Sequence, residues 1–330
     1  MFQLDEIKAR EFLLKAGIQN YEIKKVAGDA SFRSYYRIFY NEKNIAKTYI
    51  LMFAPPQYED IIPFIKIDKW LFENNFSAPE IFLIDESLGF ILLEDFGDAT
   101  YGRVLANVEN EKKKILELDL YKKACDSLVE LHKIKNMQEL PAYNNAVLFR
   151  EVMLLIDWYL PLQNKNITLE QKAFFKSLWF KLFDMLSKEN QVVVLRDFHA
   201  DNLMTLPNRK SFHQVGLLDF QDALIGSKAY DLVSLLEDAR RDLNEENRQV
   251  LFNYYLEKSG CDKFQFIADY EILSLQRNIK IVGIFSRLAM RDGKKQYLDL
   301  LPRVLNFVHS RLDSQNPIFL DIANLLKKFI

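Results

Sequence analysis

Hydrophobic positions change their spacing about a third of the way along the chain. The first residues, MFQLDEIKAREFLLKAG, interleave charged and apolar positions and predict an amphipathic helix ending at Gly17. Two aromatic and β-branched runs then flank a polar turn at 41–44, which predicts a β-hairpin. A further turn at 27–31 precedes the hairpin, and Pro55-Pro56 closes its second strand. Residues 58–74 are apolar at helical spacing through Ile61, Phe64, Ile65, Ile67, Trp70 and Leu71. Short strands are expected at 80–84 and 90–93, leading into Glu94-Asp95-Phe96-Gly97. From about residue 100 long amphipathic helices take over: 111–133, 145–160, 168–189, 229–240, 245–258, 263–291 and 294–312. A β insertion interrupts them, with strands at 191–195, 203–206 and 215–218. The pattern predicts an α+β fold of two lobes, a small β-rich one over 1–96 and a larger helical one over 97–330.

Composition narrows the function classes. With 330 residues, 49% of them hydrophobic, the chain is long enough for two lobes and too apolar for disorder. A net charge of -2 leaves no electrostatic footprint for nucleic acid. No apolar run is long enough to cross a bilayer, and the N-terminus lacks the apolar stretch of a signal peptide. Cys125 and Cys261 are too few for a disulfide framework. These features predict a soluble cytoplasmic protein that binds neither nucleic acid nor membrane.

The chemistry concentrates in VVVLRDFHADNLMTLPNRKSFHQVGLLDFQDALIGSKAYDLVSLL, residues 192–236. Asp197 and Asn202 occupy a loop leaving a strand, and Asp219 ends the next hydrophobic strand. Phosphoryl transfer needs such a set: one carboxylate to take or orient the acceptor hydroxyl's proton, and a carboxylate with an amide oxygen to hold Mg²⁺ against the phosphates. Isolated loop Asp and Asn residues are common as caps and turns, so the ordered set, not any one member, carries the signal.

The stretch resembles the catalytic core of the aminoglycoside phosphotransferase and choline kinase superfamily. The carrying positions are Leu195-Arg196-Asp197 through Asn202, then Asp219, then Tyr230-Asp231-Leu232. The resemblance implies a protein-kinase-like two-lobe fold, Asp197 as base, Asn202 and Asp219 as Mg²⁺ ligands, and Asp231 as the anchor of the catalytic loop. It also implies that ATP is bound by Ser31, Phe32 and Arg33 in a loop over the phosphates, and by a hinge at Leu93, Glu94 and Asp95 whose backbone meets the adenine. Further segments recur together in one branch: Asp29-Ala30-Ser31-Phe32-Arg33, Ala54-Pro55-Pro56 with Glu59-Asp60, Leu93 to Asp98, Arg150-Glu151 with Asp157-Trp158-Tyr159-Leu160, and Asp219-Phe220-Gln221-Asp222-Ala223. They are similar to the bacterial N-acetylmuramate/N-acetylglucosamine anomeric kinases of cell-wall sugar recycling. That resemblance implies phosphorylation of the sugar C1 hydroxyl and a pathway link to a sugar-1-phosphate uridylyltransferase.

For the acceptor the candidates are Arg150, Trp158, Asp222 and His199. An arginine suits a lactyl carboxylate and an aromatic ring suits a sugar face. Arg150 and Trp158 lie eight apart, near two helical turns, which would let both face one way. Two positions depart from the superfamily pattern. Leu195 stands where His is usual, which predicts a packing change in the loop. Met52 and Phe53 stand where kinases place a phosphate-binding Lys, leaving Arg33, Arg37 or Lys47 to supply the cation. Two other readings compete: a kinase for another small alcohol or an aminoglycoside, and a catalytically silent nucleotide-binding regulator.

Overall fold

The structure is a computed structural model describing residues 4–28, 32–42, 45–134, 140–189, 191–314 and 316–330. In chain order the elements are α1 (Glu6–Lys15), β1 (Glu22–Gly28), β2 (Ser34–Glu42), β3 (Ile45–Phe53), α2 (Ile62–Glu73), β4 (Ile81–Asp85), β5 (Phe90–Glu94) and α3 (Tyr101–Ala106). Next come α4 (Asn110–Leu131), α5 (Asn145–Leu154), a π-helical turn (Leu155–Tyr159), α6 (Leu160–Leu162), α7 (Leu169–Asp184), β6 (Val192–Val194), β7 (Leu203–Thr205), β8 (Val215–Leu217) and β9 (Leu224–Gly226). Helices α8 (Ala229–Leu236), α9 (Glu245–Ser259), α10 (Lys263–Arg291), α11 (Leu301–Leu312) and α12 (Leu320–Leu326) complete the chain.

The chain forms two compact units: residues 1–107 with 201–222, and residues 108–200 with 223–330. The boundary read from sequence was a single cut after residue 96. In the structure β7 and β8 group with the first unit, because they bond to it: Leu217 N–H donates to Ser77 O at 2.8 Å, and Thr205 N–H to Ala99 O at 2.9 Å.

In the first unit, five antiparallel strands lie in the order β1-β2-β3-β5-β4. The β2–β3 hairpin pairs from Ser34↔Phe53 to Glu42↔Ile45, so part of its turn, 43–44, lies outside the described residues. Helix α1 starts where the Asp5 side chain accepts the Lys8 N–H, and it ends as expected at Gly17, whose φ of 75° suits a residue without a Cβ. Its buried Ala9, Phe12 and Leu13 join Ile18, Ile38, Leu51, Phe90 and Leu92 in one core.

Helix α2 carries a buried carboxyl, Asp68, only 1% exposed, whose Oδ2 has no hydrogen-bond partner among the described residues. Burial, reinforced by the charge of Glu94 and only partly offset by Lys69, pushes this carboxyl up to about 8. The folded state therefore binds a proton that the unfolded chain, at 3.8, releases. Stability is highest below the unfolded value and is lost as pH rises through the window up to the folded one. Asp68→Asn cannot ionise and removes this term. From about pH 6 to about pH 8 the wild-type unfolding free energy should fall by roughly 2 kcal/mol relative to Asp68→Asn, at ~1.4 kcal/mol per pH unit. Parallel pH profiles of the two proteins in urea melts would show it, and superimposable profiles would mean that Asp68 is ionised in the native state.

The second unit is helical around α10, whose N-cap Asp262 accepts the Gln265 N–H. Thr168 and Gln171 form a capping box at the start of α7. The helix expected over 145–160 is not continuous. It passes from α5 into the π turn, and α10 packs against the junction through Gly283. A Cβ there would lie 2.4 Å from the Leu154 carbonyl carbon, so only glycine admits that approach. The segment expected as helix over 294–312 begins as a 3-10 turn, Lys295–Leu300, and becomes α-helical at Leu301, where Pro302 sits in the first turn. Strand β9 was not anticipated. It pairs antiparallel with β6 through Val192↔Gly226 to Val194↔Leu224.

Candidate active site

The first unit holds a cavity of about 320 Å³, within the range of small-ligand sites. Val26 of β1 and Ile50 of β3 contribute to its apolar wall, as do Met204 of β7, Leu218 and Phe220. Leu93, Glu94 and Asp95 line it, together with Phe96 and Gly97. Asn202 and Asp219 line the same cavity. The apolar walls suit a flat heteroaromatic ring, and the polar pair at its edge suits a charged group.

Asp219 lies two residues past the end of β8. Its backbone is left-handed, φ 59°, a conformation Asp tolerates better than most residues. Gln221 Nε2 donates to its Oδ1 at 2.8 Å, and Asn202 Nδ2 stands 3.3 Å from its Oδ2. Leu218 N–H donates to the Asn202 carbonyl at 3.0 Å, so the backbone also ties the two residues together. Among the described residues no group of three or more His, Cys, Asp and Glu side chains is placed to hold a metal. A carboxylate with an adjacent amide oxygen nevertheless fits Mg²⁺, which takes few protein oxygens and fills its shell with water and phosphate.

The missing strand Lys is a real difference: Met52 is fully buried, and Ile50 lines the cavity. Of the three replacement cations, Arg37 lines the cavity, directly opposite Ile50 in the β2–β3 register. It grips the hinge segment, with Nε 2.7 Å from Asp95 Oδ2, Nη1 2.8 Å from Asp98 Oδ2 and Nη2 3.1 Å from Gly97 O. Lys47 pairs with Glu42 near the hairpin end. Arg33 pairs with Glu59 at 3.4 Å, and the same carboxylate accepts the Phe32 N–H at 3.1 Å. The Phe32 ring meets Tyr58 at 5.2 Å between centroids. Ser31 lies outside the described residues. These contacts tie the Phe32-Arg33 segment to Glu59.

In the second unit, Asp197 lies on the loop after β6. Asp231, fully buried on α8, accepts the N–H of Leu195 at 2.6 Å and of Arg196 at 2.8 Å. Arg196 itself is left-handed, φ 71°, which costs roughly 1–2 kcal/mol and needs such an anchor. Burial drives the Asp231 carboxyl up to about 7 against those two donors. Burial also opposes the charge of Asp197, but the charged groups around it, Lys280 foremost, outweigh it and hold its carboxyl below the usual range. Asp197 is therefore ionised at neutral pH and able to accept a proton. Leu195 is buried in its place in the loop.

His199 is buried, with Nε2 3.2 Å from Arg240 Nη1, and its N–H donates to the Asp197 carbonyl at 3.1 Å. A guanidinium only donates, so Nε2 is the acceptor and the ring is neutral; burial lowers its pKa. Arg150 is exposed on α5, Trp158 is half-buried in the π turn, and Asp222 is exposed in the turn before β9. Between Arg150 and Trp158 the helix is not purely α-helical, because the π turn Leu155–Tyr159 carries more residues per turn. Sequence reasoning missed Glu151 and Lys280, both buried, and Arg277, which contributes to the field at Asp197. Only Glu151 carried a signal, as a member of the recurring Arg150-Glu151 pair.

The fold is that of kinase-like phosphotransferases. An ethanolamine kinase from Plasmodium vivax superposes with a TM-score of 0.61 at 15% identity, covering 97% of this chain and 91% of that one. A macrolide 2'-phosphotransferase from Brachybacterium faecium gives 0.58 at 12%, covering 92% and 98%. The chain belongs to the phosphotransferase enzyme family, whose model matches residues 22–267. It is 33% identical over 298 residues to an N-acetylmuramate/N-acetylglucosamine kinase of Neisseria meningitidis, covering 88% of this chain and 85% of the relative. A protein of the same name from Pseudomonas aeruginosa is 32% identical over 317 residues, covering 92% and 88%.

Proposed function

We propose that the protein transfers the γ-phosphoryl group of ATP to the anomeric C1 hydroxyl of N-acetylmuramate or N-acetylglucosamine. The observation that carries the reading is an ionised Asp197 on an anchored loop, five residues before an Asn202 that faces Asp219 in a nucleotide-sized cavity. Asp197 accepts the proton of the sugar hydroxyl as the oxygen attacks phosphorus. Asp219 and Asn202 hold Mg²⁺, which when bound neutralises charge on the phosphates. The apolar walls around Ile50 and Met204 take the adenine, and Arg37 is the cation in place of the strand Lys.

The charge pattern favours a neutral or anionic sugar over an aminoglycoside. Polyamines need uncompensated carboxylates, but Glu237 is paired with Arg311 at 2.8 Å, Asp238 with Arg241 at 3.2 Å, and Asp242 with Arg303 at 2.6 Å. The product, a sugar 1-phosphate, is the substrate class of a nucleotidyltransferase that makes UDP-sugars.

The test is ADP release with ATP and Mg²⁺ against N-acetylmuramate, N-acetylglucosamine, glucose, choline and kanamycin. Turnover on the two N-acetyl sugars is expected. Turnover confined to choline or kanamycin would replace the acceptor class, and ATP binding without turnover on any acceptor would make the protein a regulator.

A further inference from the structure

The loop bearing Asp197 is backed by a buried cluster of charges that the phosphoryl-transfer reading does not use. Glu151 of α5 is 7% exposed, yet its carboxylate takes four donors. One oxygen faces Arg196 Nη2 and, at 3.2 Å, Lys280 Nζ. The other accepts from Gln276 Nε2 at 2.9 Å and from the Tyr143 hydroxyl. Lys280, 7% exposed and one α-turn beyond Gln276 on α10, also donates to the Tyr230 hydroxyl at 3.1 Å. The guanidinium of Arg196 lies 5.6 Å from the centre of the Tyr143 ring, and Lys280 Nζ lies 5.7 Å from that of Tyr230.

Two features separate this cluster from ordinary packing. Burying ions is costly, and apolar residues of the same volume would serve stability at least as well. The charges also do not close among themselves: Arg196 and Lys280 bring two positive charges, Glu151 one negative. Asp197, next in the chain to Arg196, supplies the balancing negative charge. Arg196 joins the two halves of the problem. Its backbone is held left-handed by Asp231 and its side chain by Glu151, so the direction in which Asp197 leaves the loop is fixed from both ends of one residue.

We propose that Glu151 and Lys280 are positioning residues for phosphoryl transfer, acting through Arg196 to hold the Asp197 loop and to place a surplus positive charge beside its carboxylate. This rests on the reading of Asp197 as the base. Neither residue lines the cavity assigned to the nucleotide, so both are expected to act on turnover and not on nucleotide affinity.

The experiment compares Lys280→Met, Glu151→Gln and the double variant with Asp197→Asn, measuring kcat, the KM for ATP and the melting temperature of each. Each single variant is expected to lower kcat about 10- to 100-fold, the cost of a slightly misplaced reacting group, with the KM for ATP within about twofold of wild type. The double variant should lose less than the product of the two single losses, because both act through Arg196. Lys280→Arg, which keeps the charge, should recover part of the kcat that Lys280→Met loses. Glu151→Gln removes the carboxylate that both cations share; if it does not fold, Lys280→Met, which keeps the Glu151–Arg196 pair, carries the test alone. Folded variants with wild-type kcat beside an inactive Asp197→Asn would overturn the proposal, as would a loss expressed only in the KM for ATP. A fully active Asp197→Asn would instead overturn the base assignment beneath it.

Discussion

Asp197→Asn is expected to lower kcat about a thousandfold, or ~4 kcal/mol of transition-state stabilisation, while leaving ATP affinity within a few-fold of wild type. The substitution keeps the size of the side chain but removes the only form that accepts the acceptor's proton. Two neighbouring groups are poorly placed to take over. His199 is buried and engaged by Arg240, and both oxygens of Asp231 are occupied by backbone N–H groups. The cavity walls assigned to adenine, from Ile50, Leu93 and Met204, do not involve Asp197. A stability effect should accompany the kinetic one. The carboxyl of Asp197 is depressed in the folded state, so it stabilises the fold above its unfolded value of 3.8, and this contribution is lost as pH falls through the folded value. Asp197→Asn should therefore melt below wild type at neutral pH, with the gap closing on acidification. Steady-state turnover and ATP titration calorimetry decide the matter, and wild-type turnover in the variant would remove Asp197 as the base.

Asp219→Ala should have the next largest effect, a loss of turnover of at least about a hundredfold that extra Mg²⁺ restores only in part. Asp219 is the charged member of the pair that faces the cavity, and Gln221 and Asn202 hold its carboxylate in place from either side. Removing it takes away the only formal negative charge of that pair. Asn202→Ala, which removes a neutral ligand, should cost less and raise the Mg²⁺ concentration needed for half-maximal rate. The measurement is turnover against Mg²⁺ concentration for wild type and both variants. An Mg²⁺ dependence in Asp219→Ala that matches wild type would mean that the metal is held elsewhere.

The two effects act on different terms of the same barrier. In the proposed reaction Asp197 governs the proton and Asp219 the charge on the phosphates, which a loose transition state requires to be neutralised and not covalently engaged. Their losses should combine nearly additively unless the metal also orients the acceptor.

Much of this was readable along the chain. The hairpin, the helix ends at Asp5, Gly17, Thr168 and Asp262, and the spacing of Asp197, Asn202, Asp219 and Asp231 are local properties, set by backbone preference and by short-range order of residue types. Those features determined the fold class and singled out the residues proposed for the base and the metal, and Asp231, which holds the loop through two backbone N–H groups. What the sequence could not decide depends on which distant groups share a dry interior. Strand β9 is three residues long and gains its partner β6 only through pairing some thirty positions back in the chain. The π turn between Arg150 and Trp158 forms where Gly283 lets α10 approach Leu154. Glu151 and Lys280 look like solvated helix charges until 129 residues of chain fold back to close their 3.2 Å pair. Asp68 reads as a surface acid in an amphipathic helix, and only packing strips it of water and raises its pKa. Periodicity and motif spacing determined which residues are available; desolvation and charge pairing, which exist only once the chain is packed, decided what each of them is able to do.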